Sequence, residues 1–125
     1  MIKNVRLKST VVAMVAAGGF LTFAPSASAA GNCTHYGTPG YIQYFSDNNF
    51  QGDCYELQEW QVNYNLKYTP AGNMDNRISS LRSWSSYGHS LWSETGDSGQ
   101  KFTFGANEQW ASLPAWINDQ ASSVG

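Results

Sequence analysis

The sequence contains little cysteine and little charge. Of its 125 residues, two are cysteines and 13% are charged. Two histidines and two cysteines that are expected to be oxidised argue against a zinc site. No Gly-rich phosphate loop and no His-Glu-x-x-His pattern occurs either. Those absences argue against nucleotide-binding and zinc-peptidase chemistry.

Basic residues are scarcer than their total of seven suggests, because three lie within the first ten residues. An apolar stretch over residues 11–23 and a run of small residues follow them. This order is typical of a secretory signal peptide, and the apolar stretch is short for a membrane span. We therefore expect residues 1–30 to be removed after Ala29 or Ala30. The mature chain, residues 31–125, is then a secreted, extracellular single domain.

The mature chain is acidic, with four basic residues against nine acidic ones and a net charge of −5. Nucleic acids and anionic membranes attract basic patches, so neither is expected as a partner. A cation or a basic protein suits this charge better. No second long apolar stretch occurs, and a monomer is expected.

Cysteines and aromatic residues are expected to stabilise this small domain. Cys33 and Cys54 are the only thiols of an exported chain, which predicts a disulfide between them. Sixteen aromatic residues follow residue 30. They are sufficient to build a core in a domain of this size, and most of them are expected to be buried.

Short β-strands are predicted after residue 40, because alternating apolar and aromatic runs are separated by clusters of Asn, Asp, Gly and Ser. The runs cover residues 41–45, 54–57, 78–84, 90–92 and 101–104. Such a pattern favours an antiparallel sandwich. Residues 58–73 predict a further strand and a long connection.

An internal repeat organises the chain. The residues Phe45, Gly52, Tyr55 and Leu57 recur 47 positions later as Trp92, Gly99, Phe102 and Phe104. Residues 75–80 recur 43 positions later as residues 118–123, so we expect a shorter connection in the second repeat. Each repeat is too small to bury its own apolar face, and the two should pack as one domain.

Both repeats end in the same oxygen-rich pattern, in which two Asp or Asn residues are followed by two variable residues and two serines. Ca²⁺ takes about six to eight oxygen ligands from carboxylates, amides, hydroxyls, carbonyls and water. One such loop offers too few ligands. Two loops that face each other would share ligands and form two calcium sites.

With these features the chain resembles a microbial, calcium-binding βγ-crystallin domain. The resemblance rests on residues 45–52, on residues 92–99 and on the two Ser-Ser loops, and it extends over residues 41–123. It implies an all-β sandwich of two Greek-key motifs, about 41–84 and about 89–124. It also implies that the glycine of each motif permits a folded hairpin.

The resemblance assigns oxygen ligands to two Ca²⁺ ions. In each loop the second Asp or Asn would offer a side-chain oxygen, the next residue a carbonyl, and the first serine a hydroxyl to the site shared with the opposite repeat. The hairpin residues would add carbonyls. The assigned residues are Ser46, Asp47, Asn76, Arg77, Ser79, Ser93, Glu94, Asp119, Gln120 and Ser122.

The two sites are expected to differ in affinity. Asn76 is neutral where Asp119 is charged, and Arg77 carries a positive charge beside the first site. In the second hairpin Asp97 replaces the aromatic residue found at Phe50. We therefore expect unequal, weak sites of the extracellular kind, with dissociation constants of about 10⁻⁵–10⁻³ M.

Two other interpretations concern enzymes and inhibitors. Residues 96–99 resemble the nucleophile segment of chymotrypsin-like proteases, but neither His35 nor His89 lies in a recognisable triad segment, so an enzyme is not expected. The alternative function is a secreted metalloproteinase inhibitor of the same fold, with its inhibitory loop in residues 58–73. A toxin acting on competing cells has no signal in the sequence.

Overall fold

Two antiparallel β-sheets pack against each other in the computed structural model, which describes residues 33–125. The expected signal peptide lies outside these described residues. No α-helix occurs between residues 33 and 125. In the same range, no helix is long and apolar enough to span a bilayer. The expected fold class, an all-β sandwich, is confirmed.

Seven strands occur in the described part of the chain. They are β1 (Tyr41–Asp47), β2 (Gln51–Gln58), β3 (Ser80–Ser83), β4 (His89–Glu94), β5 (Ser98–Phe104), β6 (Gln109–Trp110) and β7 (Ser123–Val124), with a 3-10 turn at Asn48–Phe50. The first sheet has the order β2-β1-β3-β6, and the second has the order β5-β4-β7. A single antiparallel bridge from Asn63 to Val124 extends the second sheet beyond β7.

The repeats exchange their third strands. Strand β6 belongs to the second repeat but pairs with β3 in the first sheet, through Leu81 and Trp110. Asn63 belongs to the first repeat but pairs with Val124 in the second sheet. Each sheet therefore depends on both repeats for its strands, which holds the two halves together as one sandwich.

Strand β1 lies at the centre of the first sheet and is covered on both faces. Tyr44 pairs with Tyr55 on β2 and with Leu81 on β3, and its side chain is buried in the core. The outer face is covered by the segment before β1, which a disulfide between Cys33 and Cys54 attaches to β2. The predicted disulfide is confirmed.

The core contains fewer aromatic side chains than expected. Five of the sixteen aromatic residues are buried, five are half-buried and six are exposed. The buried ones are Tyr44, Phe45, Tyr55, Phe102 and Phe104, and the exposed ones are Tyr36, Trp60, Tyr64, Tyr68, Tyr87 and Trp116. The expectation that most aromatic residues are buried is wrong, because all the exposed ones lie outside the seven strands.

Gln58 ends β2, and residues 59–73 form no strand. The strand predicted over residues 58–73 is reduced to two isolated bridges, from Asn63 to Val124 and from Thr69 to Gly72. Local hydrogen bonds replace a ladder. The side-chain oxygen of Asn63 accepts the N–H of Asn65 at 2.8 Å, and that of Asn65 accepts the N–H of Lys67 at 3.1 Å. Such Asx turns compete with strand pairing.

The connection before the repeated loop differs in length as expected. Seven residues separate the buried Leu66 from the buried Met74, whereas three separate Leu113 from Ile117. The N–H of Leu66 donates to the main-chain carbonyl of Ser122, and the N–H of Leu113 donates to that of Ser79, both at 3.0 Å. The two repeats therefore re-enter the core at equivalent points, and the four extra residues of the first repeat lie on the surface.

Candidate cation site at the paired loops

The two oxygen-rich loops, residues 75–80 and 118–123, lie side by side and are called the paired loops below. The N–H of Asn76 donates to the carbonyl of Ala121 at 2.8 Å, and the N–H of Asp119 donates to that of Ile78 at 3.0 Å. These bonds join equivalent positions of the two repeats in opposite directions. The paired loops are thus related by an approximate two-fold axis.

Both loops turn at the same point. Asn76 has a φ of 57° and Asp119 a φ of 58°, in the left-handed region that Asn and Asp tolerate better than other residues with side chains. The following N–H closes each turn, from Arg77 to Met74 at 3.2 Å and from Gln120 to Ile117 at 3.0 Å. An Asp or Asn at this position thus allows the left-handed turn of the backbone, in addition to its expected role as a ligand.

Side chains from the two repeats meet at one of the two expected sites. The Ser79 hydroxyl donates to a carboxylate oxygen of Asp119 at 2.7 Å. At the equivalent position no hydrogen bond joins the side chains of Asn76 and Ser122 within residues 33–125. Of the two predicted pairs, the structure therefore joins the one that contains a charged residue, Ser79 with Asp119.

Two buried oxygens lie next to these residues. Oδ1 of Asp75 and Oδ1 of Asn118 are buried and accept no hydrogen bond from the described chain. These two residues occupy equivalent first positions of the repeated pattern. Buried polar oxygens nearly always have a partner, so these two oxygens are acceptors open to a cation or to solvent. The sequence analysis assigned neither residue a role, since unpaired oxygens are recognisable only once burial is known.

Several carbonyl groups at the paired loops are available as ligands. The predicted carbonyls of Arg77 and Gln120 accept no hydrogen bond from residues 33–125. Those of Asp47 and Glu94 each accept a serine hydroxyl at 2.6 Å, from Ser80 and Ser123 respectively. A carbonyl oxygen has two lone pairs, so accepting one hydroxyl does not by itself prevent it from binding a cation.

The second serine of each loop fixes a hairpin, a role that the sequence analysis missed. Ser80 Oγ accepts the N–H of Phe50 at 3.0 Å, and Ser123 Oγ accepts the N–H of Asp97 at 3.0 Å. The repetition of two serines, rather than one, in both loops was the available signal. These two hydroxyls tie the hairpins to the paired loops.

The predicted hairpin ligands Ser46 and Ser93 use their hydroxyls internally. Ser46 Oγ accepts the N–H of Asp53 at 2.9 Å, and Ser93 Oγ accepts the N–H of Gln100 at 2.8 Å. Their side chains therefore stabilise the folded hairpins.

The hairpins differ at the position where the sequence lacks an aromatic residue. Phe50 and Asp97 both have positive φ, 60° and 55°. Phe50 packs edge-on against Phe45 at 5.8 Å, and the Arg82 guanidinium lies 5.0 Å from the Phe50 ring. Asp97 fits the left-handed conformation with less strain than a bulky residue. The second hairpin thus lacks the ring packing of the first, but its turn is formed with less backbone strain.

The positive charge at the first loop has its own partners. The Arg77 guanidinium donates to the Asp53 carboxylate at 3.0 Å and to the Asn73 carbonyl at 2.9 Å, on the protein surface. This orientation commits the charge to Asp53 and weakens its repulsion of a nearby cation.

The paired loops offer mainly neutral oxygen donors. Across residues 33–125, no three His, Cys, Asp or Glu side chains gather into a metal-binding group. The oxygens at the paired loops belong to amides, hydroxyls and carbonyls, with one carboxylate in each loop. Neutral oxygen donors of this kind suit hard cations such as Ca²⁺ rather than zinc.

Comparisons with known proteins establish the fold. No protein-family model and no curated protein matches the chain. Solved structures do match. A βγ-crystallin from Ciona intestinalis is 23% identical with a TM-score of 0.57, over 68% of this chain and 96% of that one. A βγ-crystallin domain from Flavobacterium johnsoniae is 25% identical with a TM-score of 0.54, over 66% and 89%.

A third structure contains a metal. It is a double mutant of clostrillin in complex with nickel, 21% identical with a TM-score of 0.53, over 67% of this chain and 93% of that one. These likenesses show that the chain has the βγ-crystallin fold.

Proposed function

We propose that this protein is a secreted, non-enzymatic βγ-crystallin-type module that binds two Ca²⁺ ions at its paired loops. The observation that carries the proposal is the contact of Ser79 with Asp119 across the two repeats. It places a hydroxyl and a carboxylate from opposite loops within the reach of one ion.

The residues present fit a calcium ion. One site would be held by Asp119 and Ser79, and the other by Asn76 and Ser122, with loop and hairpin carbonyls in both. The unpaired buried oxygens of Asp75 and Asn118 supply further acceptor capacity beside each site. A bound ion would supply positive charge that holds the two loops together. The described residues themselves provide the turns, the carbonyl orientation and the contact between repeats.

The two sites should differ in affinity. The Asp119 site contains a charged ligand that already contacts its serine partner. The Asn76 site has a neutral amide, which makes no hydrogen bond to Ser122. Since ligand charge tunes calcium affinity, the Asp119 site is proposed to be the tighter one.

Isothermal titration of the chelator-treated protein with Ca²⁺ tests the proposal. Heat that fits two sites is expected, and a variant with Ser79→Ala and Ser122→Ala should lose affinity at both. Ser112→Ala is the matched control, because Ser112 is exposed and lies outside the paired loops. No binding up to several millimolar Ca²⁺, or equal binding by the double variant, would contradict the proposal. The metalloproteinase inhibitor stays a prediction, tested on a panel of such enzymes.

A further inference from the structure

Four aromatic rings surround the Arg82 guanidinium on the outer face of the first sheet. The guanidinium carbon lies 4.4 Å from the ring centre of Tyr36, 4.9 Å from that of Phe45, 5.0 Å from that of Phe50 and 5.8 Å from that of Trp84. We call these four rings the arginine cage. The distances are those of cation–π contacts, so the rings replace much of the water that would otherwise surround the charge.

The arginine cage is built from two ring pairs that the fold holds in place. Tyr36 and Trp84 meet edge to face with their centres 5.2 Å apart, and Phe45 and Phe50 do so at 5.8 Å. Phe45 is fully buried, whereas Tyr36 is 69% exposed. The cage is therefore closed on the side of the sheet, and Tyr36 forms its rim on the side of the solvent.

Most donors of the Arg82 guanidinium have no acceptor in the described chain. Its Nε–H donates to Gln43 Oε1 at 3.1 Å. The two Nη nitrogens carry four further N–H groups, and none of these finds an acceptor within residues 33–125. In this range the fully buried side-chain atoms without a partner are all oxygens, so both Nη nitrogens reach the solvent. The fork of donors is open to an acceptor from outside.

The charge of Arg82 also lacks a carboxylate partner. The ion pairs of the described residues involve His35 and Arg77 instead. Glu56 lies on the same face of the sheet, but the Gln43 side chain connects it to Arg82 and keeps the two charges apart. Burial lowers the pKa of Arg82 below its ordinary value, because the surrounding groups exclude water from the charged form. Charges removed from water are usually paired, so an anion from outside would offset this cost.

The second repeat forms equivalent strand pairs without such a cage. Gly125 exchanges two hydrogen bonds with Ser90, 2.8 and 3.0 Å long, and these residues are the equivalents of Arg82 and Gln43 by the offsets of 43 and 47 positions. In the second hairpin an aspartate replaces Phe50. The fold therefore does not require an arginine enclosed by rings, and a binding role accounts for its open donors.

We propose that the arginine cage binds the carboxylate of an organic acid whose apolar part packs against Tyr36. Two N–H groups of a guanidinium match the two oxygens of a carboxylate, and such bidentate pairs are among the strongest hydrogen bonds in proteins. The apolar walls of the cage strengthen this attraction, because they exclude water. The exposed ring of Tyr36 offers a surface to the rest of the acid.

A singly charged carboxylate suits the site better than a doubly charged phosphate. After residue 30 the chain carries nine acidic and four basic residues, so an anion approaches against a negative field. The repulsion is roughly twice as large for a dianion. Binding therefore depends on contacts at short range, and a small probe such as benzoate should bind in about the millimolar range.

An NMR titration of the ¹⁵N-labelled protein with sodium benzoate, in EGTA and at constant ionic strength, tests the site. Saturable shifts are expected for the Arg82 Nε–H, for the indole N–H of Trp84 and for the main-chain N–H groups of Tyr36 and Phe50. Acetate should shift the same signals with a several-fold larger dissociation constant, because it has no ring to pack against Tyr36. Inorganic phosphate should bind more weakly than benzoate.

Two variants and a control locate the binding. Arg82→Lys keeps a positive charge but loses the planar fork of donors, so it should weaken benzoate binding by about tenfold or more. Tyr36→Ser removes an exposed ring and should weaken benzoate binding several-fold while leaving acetate binding unchanged. Arg77→Lys is the matched control, because the Arg77 guanidinium already donates to Asp53, and it should bind benzoate like the wild type.

The outcomes decide the proposal and separate it from the calcium sites. The absence of saturable shifts at these four residues up to about 50 mM benzoate would overturn it in the wild type, whether or not the variants fold. Equal affinity of Arg82→Lys for benzoate would also overturn it. Tighter binding of phosphate than of benzoate would overturn the assignment to carboxylates. Because EGTA is present here and benzoate is absent from the calcium titration, the two proposals fail separately.

Discussion

A chain of polar contacts crosses the outer face of the first sheet at Glu56. Gln43, fully buried, donates to the carboxylate of Glu56 at 2.9 Å and accepts the Arg82 guanidinium at 3.1 Å. The other oxygen of Glu56 contacts the His35 ring at 2.8 Å. Burial raises the pKa of Glu56, but the hydrogen bonds from Gln43, His35 and the Thr34 N–H outweigh it, so the pKa lies below its ordinary value.

The depressed pKa of Glu56 predicts an acid-sensitive contribution to stability. An unfolded glutamate has a pKa of about 4.3, so below that pH the unfolded chain takes up a proton before the folded one. The contribution is complete above about pH 4.3 and is lost as the pH falls through the folded value. Urea unfolding at stepped pH should show a smaller fall between about pH 5 and pH 3 for Glu56→Gln than for the wild type. Parallel curves would contradict this assignment.

The charge difference between Asp119 and Asn76 predicts opposite effects of two substitutions. Asp119→Asn removes the charge from the proposed tighter site and should weaken calcium binding there by about tenfold or more, whereas Asn76→Asp should tighten the proposed weaker site. Calcium titration of each variant measures both constants. If the two substitutions leave the constants unchanged, the side chains of these residues are not ligands. The left-handed φ of both positions suits Asn and Asp alike, so folding is preserved.

Among the structural elements, the two hairpins depend on glycines at equivalent positions. Gly52 and Gly99 have φ of +81° and +83°. A Cβ on Gly52 would collide with the Ser46 hydroxyl and approach the Asp47 carboxylate at 2.9 Å, and one on Gly99 would collide with Ser93. The same serine hydroxyl accepts a backbone N–H in each hairpin. Close packing and backbone conformation thus both require glycine here.

Alanine at Gly52 is predicted to destabilise the protein more than alanine at Gly72. Gly72 also has a positive φ, +92°, but open space surrounds its Cβ position. Gly72→Ala should therefore lower the free energy of unfolding only by the strain of alanine in the left-handed region, about 1–3 kcal/mol. Gly52→Ala adds the collision and the disturbance of the Ser46 hydrogen bond. Chemical denaturation gives both free energies of unfolding, and equal losses would show that the collision relaxes without cost.

The sequence predicts the longer strands and misses the short ones. The aromatic run of β1 and the alternation in β5 are strong local signals, and both strands form. Strand β6, of two residues, has no pattern of its own and exists because Trp110 meets Leu81 across the repeats. The paired loops were found because the pattern recurs. The sequence does not predict the unpaired oxygens of Asp75 and Asn118, because only the structure shows that these oxygens are buried.

At the scale of the whole molecule, the paired loops join segments from both halves of the chain. Ser79 and Asp119 are 40 positions apart in sequence, and each loop carries a serine that ties down a hairpin. An ion that binds only the folded state therefore acts on the full sandwich rather than on one loop. Calcium should stabilise the domain as a unit.

Calcium is accordingly predicted to raise the melting temperature in a single transition. Binding to the folded state alone adds about 2.7 kcal/mol for one site when the free ion is about a hundredfold above the dissociation constant. Thermal unfolding in millimolar Ca²⁺ and in EGTA measures the difference, and Mg²⁺ at the same ionic strength is the control for screening. A melting curve indifferent to both ions would count against a stabilising role for calcium.

The exchange of third strands has a consequence for how such a molecule arises. A single repeat on its own would have a sheet that lacks its fourth strand and a third strand that has no sheet to join. It would therefore complete its fold only by pairing with another identical chain. Joining two such chains end to end converts that encounter into an event within one molecule. Once joined, the halves no longer need to be alike, and the divergence of Asn76 from Asp119 and of Phe50 from Asp97 is the freedom that fusion provides.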